Sequence, residues 1–158
     1  MEKILVLGIG NQLMMDDGIG ICVVEELMKR QPTPEHIEYV IGESDIDYCL
    51  EQIERTPYVM IIDAIFSGTN PGDITIYQFS ELHERQPLNI SPHNLHLFNV
   101  LYQQRQRLKG CIIGIEPSEI SFHFGLSQSL KEKLHTITDE VQATVNRRGG
   151  DQRDGSCG

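Results

Sequence analysis

Positive charge is scarce in this chain. Lys and Arg total 13 against 23 Asp and Glu, a formal net charge of −10. That balance argues against nucleic acid and anionic membrane as partners and leaves room for a basic or metal-bearing protein partner. Paired cysteines are missing too. Cys22, Cys49, Cys111 and Cys157 form no Cys-x-x-Cys unit, which argues against zinc-ribbon and thioredoxin-like sites. Cys22 and Cys111 lie in apolar surroundings and read as small core residues. No apolar run approaches the ~20 residues of a membrane span, so no membrane insertion is expected. The first residues run directly into a strand pattern without a basic, then apolar, leader, and the expected compartment is the reducing cytoplasm. Two catalytic signatures are absent: the His-Glu-x-x-His of zinc peptidases and the Gly-x-Ser-x-Gly nucleophile elbow. There is no internal repeat.

What is present is an alternation of apolar runs and helical periods. At 158 residues the chain suits one compact domain. Strands are expected over Lys3–Leu7, Ile37–Ile41, Tyr58–Ile62 and Cys111–Ile115. Asp73–Phe79 alternates apolar and polar residues and suits an edge strand. Helices are expected over Asp17–Arg30, from Asp45 to Arg55 with Ser44 as cap, from the Ser91-Pro92 pair onward, and over Ser127–Asn146. This order implies right-handed crossovers: a single-domain α/β fold with a mainly parallel, twisted sheet of about five strands and helices on both faces. The domain spans 1–146, and 147–158, without an apolar period, is expected to be a disordered tail.

In such a sheet ligands bind beyond the carboxyl ends of the strands, where Gly8, Asp63 and the segment after Ile115 fall. The run from Gly8 to Gly20 begins like a dinucleotide fingerprint, Gly8-Ile9-Gly10, but Leu13 stands where the third glycine is needed. Asp16 and Asp17 then follow, where a pyrophosphate would meet repulsion. The loop suits a cation, although capping the following helix would suit either aspartate equally. Asp63 ends an apolar strand, where a turn role is as ready as a ligand role. His93 falls in the first turn of a helix, whose positive end favours the neutral, metal-binding imidazole over imidazolium. Taken alone it suits a surface or capping role, and His96, three residues on, suits a supporting one. Together Asp17, Asp63 and His93 offer two carboxylates and an imidazole to a divalent transition metal with open positions.

The stretches Ile4-Leu5-Val6-Leu7-Gly8-Ile9-Gly10-Asn11 and Asp16-Asp17-Gly18-Ile19-Gly20 resemble the opening signature of the hydrogenase maturation proteases. Ile61-Ile62-Asp63-Ala64 is similar to that family's central aspartate strand, and Ser91-Pro92-His93-Asn94-Leu95 to its histidine motif. Gly114-Ile115-Glu116-Pro117 and Gly125-Leu126-Ser127 resemble its late strand and last-helix entry. The resemblance covers the chain to about Val145. It implies an endopeptidase that recognises nickel in the precursor of a nickel–iron hydrogenase large subunit and removes the C-terminal extension. It makes Asp17, Asp63 and His93 the metal contacts, with nickel supplied by the precursor and other divalent metals able to occupy the site. Asp16 shapes the loop or, on a second route, serves as the catalytic base. Two positions depart from the family's usual pattern: Ile41-Gly42-Glu43-Ser44 replaces an Asp-Gly-Gly-Thr-like loop, and His93-Asn94-Leu95 replaces His-Gln-Leu. The alternative function is a non-catalytic nickel-binding chaperone with the same ligands.

Overall fold

The computed structural model describes residues 2–30, 32–83 and 94–153, with side chains up to Arg148. Five strands form one sheet in the order β2-β1-β3-β5-β4. They are β1 (Ile4–Ile9), β2 (Ile37–Glu43), β3 (Tyr58–Ala64), β4 (Ile74–Gln78) and β5 (Gly110–Ile115). β1, β2, β3 and β5 pair in parallel, while β4 joins antiparallel at the edge beside β5. The alternation of Ile74 and Ile76 marked that edge position correctly.

The central strands β1, β3 and β5 are buried along their whole length. Such strands are covered on both faces, which is why their sequences are nearly unbroken apolar runs. Alternate residues serve opposite layers. Ile4, Val6, Met60, Ile62 and Ile113 pack with residues of α1 (Ile19–Lys29) and α4 (Gln128–Arg153). Leu5, Leu7, Ile61 and Ile112 pack with residues of α2 (Ile46–Glu54) and α3 (Leu95–Gln103). The result is the expected α/β domain with helices on both faces. No helix among the described residues is long and apolar enough to cross a membrane.

Three local features differ from the sequence reading. Asp45, not Ser44, caps α2: its Oδ1 accepts the Tyr48 amide at 3.0 Å, and the Ser44 hydroxyl instead donates to the Gly10 carbonyl at 3.2 Å. The first helix is split, with a 3-10 turn at Met15–Gly18 preceding α1. The last helix passes Asn146 and runs to Arg153, so residues 147–153 are helical and not part of a disordered tail. Its buried stripe, Val141 and Val145, is continued at Arg148, whose guanidinium lies 4.0 Å over the Tyr58 ring. Residues 154–158 lie outside the described residues.

Candidate functional site

The site is built by a loop that crosses the carboxyl edge at very short range. Gly20, at the start of α1, packs directly on the strand ends: a Cβ there would lie 2.2 Å from the Ile62 carbonyl and 2.8 Å from that of Ile9. Gly10 has φ +135°, and a Cβ on it would lie 2.0 Å from the Asp17 carbonyl. The glycines that imitate a nucleotide fingerprint therefore serve close backbone approach. Their effect is to press the 10–18 loop onto the end of β3, delivering Asp16 and Asp17 to a fully buried position near Asp63.

The three buried acids have different surroundings. Asp16 is saturated. Its Oδ2 accepts the Ser118 and Glu119 amides at 2.9 Å each and the Ser127 hydroxyl at 2.8 Å, and its Oδ1 accepts the Ser127 amide at 2.7 Å. One carboxylate thus ties the first loop to the segment after β5. Asp17 reaches back within its own loop, where Oδ2 accepts the Asn11 amide at 3.0 Å. Asp63 lies inside β3, one residue before its end, and not in a loop. Its Oδ1 accepts the Ala64 amide at 2.8 Å and its Oδ2 the Asn94 side-chain amide at 2.9 Å. Burial pushes the Asp63 carboxyl well above its ordinary range, and the nearby Asp17 pushes it further, against the two hydrogen bonds. Two acids held this close out of water favour a bound proton or a bound cation.

His93 lies outside the described residues. Its chain neighbour Asn94 is buried and bonded to Asp63. His96 is exposed on α3. Among the described residues no three His, Cys, Asp or Glu side chains group as a metal site. Sequence reasoning gave no role to Asn94, Ser127 or Glu116. Glu116 is buried just after β5 and accepts the Ser67 amide at 2.7 Å and the Gly68 amide at 3.0 Å, fixing the turn that follows β3. The Ser67 hydroxyl on that turn bonds to the Tyr77 hydroxyl of β4. Glu116 was marked in the sequence by its place directly after a buried strand and within the Gly114-Ile115-Glu116-Pro117 stretch, neither of which gives its role.

Residues 21–144 match the model of the hydrogenase maturation protease family HycI, and that segment includes Asp63 and position 93. The hydrogenase 2 maturation protease of Escherichia coli K12 is 31% identical over 152 residues, covering 93% of each chain. The chain belongs to the hydrogenase maturation protease family. The hydrogenase 3 maturation protease of the same organism is 28% identical over 151 residues, 92% of each chain. Among solved structures, the hydrogenase maturating endopeptidase HybD from E. coli superposes with a TM-score of 0.77 at 30% identity, covering 93% of this chain and 94% of the other. These matches agree with the endopeptidase and fold expected from the sequence. Within the family's architecture, the loop pressed on β3 and the turn held by Glu116 lie at the same edge of the sheet.

Proposed function

We propose that this chain removes the C-terminal extension of a nickel–iron hydrogenase large-subunit precursor, in the cytoplasm, after recognising the nickel that the precursor carries. Asp17, Asp63 and His93 are the groups that engage that ion. The supporting observation is the burial of Asp17 and Asp63 together at the sheet edge, where burial and the neighbouring Asp17 make the Asp63 carboxyl costly to ionise. A divalent ion delivered by the precursor relieves that repulsion, so metal loading acts as a checkpoint for engagement. The oxygen and nitrogen donors, without thiolate, suit nickel and other divalent ions alike.

The chain's own residues then have distinct tasks. Asn94 holds one Asp63 oxygen and fixes the carboxylate plane, and the Asn11 amide does the same for Asp17. Asp16 has both oxygens committed to four donors, which suits bracing the loop and leaves little capacity to act as a base. Cys22, Cys49 and Cys111 are free thiols, consistent with a reducing compartment.

Intact-mass analysis of nickel-loaded and nickel-free precursor incubated with the protein tests this. Loss of the extension is expected from the loaded form alone. Asp17→Asn, Asp63→Asn and His93→Gln should each slow processing at least about 100-fold. Processing of both precursors at equal rates would remove the checkpoint, and retention of loaded precursor without cleavage would make the chain a chaperone.

A further inference from the structure

Large apolar side chains are exposed on this molecule in an uneven way. Leu13, Phe66, Leu95, Phe122 and Phe124 all stand at the carboxyl edge, on segments that also carry or contact the buried acids and Glu116. Phe122 and Phe124 are 84% and 70% exposed, and Leu13 is 52% exposed. Scattered apolar residues on a surface are ordinary, but a set gathered around a site marks an interaction surface.

These side chains are presented by a rigid base. The Leu13 carbonyl accepts the His123 amide at 2.9 Å, and the His123 carbonyl accepts the Met15 amide at 2.9 Å. Gly125 and Gln12 pair at 3.2 Å, as do Asp16 and Glu119. The Asp16 carboxylate then pins Ser118, Glu119 and Ser127. Met14 and His123 form a parallel bridge. Exposure here accompanies a double loop held by eight hydrogen bonds, four between main chains and four to one carboxylate.

We propose that the paired loops 12–16 and 118–125 are the surface on which the large-subunit precursor docks, with Leu13, Phe122 and Phe124 receiving an apolar segment of it beside Asp17. This rests on the chain being a precursor-processing enzyme and adds where the precursor is gripped. The occupant is the precursor because the surface is continuous with the site: residue 16 braces the double loop and residue 17 enters the acidic pair. Aromatic anchors on a preordered base are the features that concentrate binding energy in protein interfaces.

The test uses the full chain and nickel-loaded precursor that retains its extension. Binding is read by co-elution, and processing as KM and kcat. Phe122→Ser with Phe124→Ser should raise KM and weaken co-elution by about tenfold or more, with kcat within about twofold and an unchanged Tm. Phe122→Ser alone should show part of the same shift and guards against misfolding of the double variant. Ile76→Ser removes an apolar residue of β4 that is 40% exposed and lies away from these loops, and should leave KM and co-elution as in wild type. A double variant with wild-type KM and co-elution overturns the proposal. So does one that only lowers the native mass of the protein by itself, since the loops would then join two copies. If wild type retains precursor but releases no fragment, the endopeptidase reading fails while docking stands. If it neither retains nor cleaves, both fail.

Discussion

The two ends of the sheet handle charge in opposite ways. At the amino end, a cavity of about 550 Å³ is lined by Glu2, Glu54, Arg107 and Lys109 together with Ile53 and Val59. Those charges are exposed and of both signs, so water and each other's fields satisfy them. At the carboxyl end, Asp16, Asp17 and Asp63 are fully buried and of one sign. The cavity at the amino end draws attention by its shape. Burial of like charge directs it to the carboxyl end, because an acid withdrawn from water needs a partner that the fold or a ligand must supply. Asp16 finds its partners within the fold, while Asp63 remains with a raised affinity for a proton.

The largest expected contrast is between the two ends. Glu54→Gln with Lys109→Gln should leave precursor processing within about twofold, since exposed charges contribute little. Asp63→Asn should nearly abolish processing and at the same time raise Tm. The sign follows from the raised carboxyl: the folded protein binds that proton more readily than the unfolded chain. The stabilisation it gives is fully present below the unfolded value near ~3.9 and is lost as pH rises through the folded value. Asp63 is therefore a burden at neutral pH, and the Tm advantage of Asp63→Asn should widen as pH is raised from acid to neutral. An advantage that shrinks over that range contradicts the stated burial of charge.

Gly20→Ala tests the close approach that creates the site. The new Cβ would meet two backbone carbonyls, which cannot rotate aside. A loss of about 3 kcal/mol is expected, lowering Tm by roughly 6–12 °C, with processing falling in the protein that remains folded. Asp16→Asn comes next. An amide accepts at only one of the two positions, so either the Ser127 amide or the three donors on Oδ2 lose their partner and face an N–H instead. About 2–3 kcal/mol should be lost, seen as a Tm drop of roughly 4–12 °C. Residual processing above that of Asp17→Asn would separate the brace from the ion-engaging group.

The smallest effect concerns Glu43, which closes β2 at φ 52° and offers its carbonyl to the Gly10 amide at 2.9 Å. A left-handed residue with a side chain costs about 1–2 kcal/mol. Glu43→Gly should therefore raise Tm by roughly 2–8 °C, a shift readable by calorimetry, and a fall in Tm would show that the Glu43 side chain outweighs its backbone strain.

The sheet was legible because its information is local. Continuous apolar runs marked β1, β3 and β5, and alternation marked β4. The ends of elements were less legible, because competing local groups decide them: Asp45 took the cap assigned to Ser44, and the Arg148 contact with Tyr58 carried α4 beyond Asn146. At the site, the placement of Asp16, Asp17 and Asp63 at one edge could be read from strand order. Their division of labour could not be read from spacing and rested on the family resemblance. The donors that saturate Asp16 lie 102 to 111 residues away along the chain, and the amide facing Asp63 comes from Asn94, 31 residues away. The adjacent aspartates look interchangeable in sequence and are separated only by these distant partners.

That separation in sequence has a consequence for synthesis. Residue 16 leaves the ribosome long before residues 118 to 127 exist, so the nascent β1 to β3 segment can form its parallel core while the Asp16 carboxylate still has none of these four donors. The precursor-facing loops take shape only when the segment after β5 emerges and zips onto residues 12–16. A growing chain shorter than about 127 residues therefore lacks the tie that assembles its recognition surface, and the fold withholds that surface until the segment after β5 has been made.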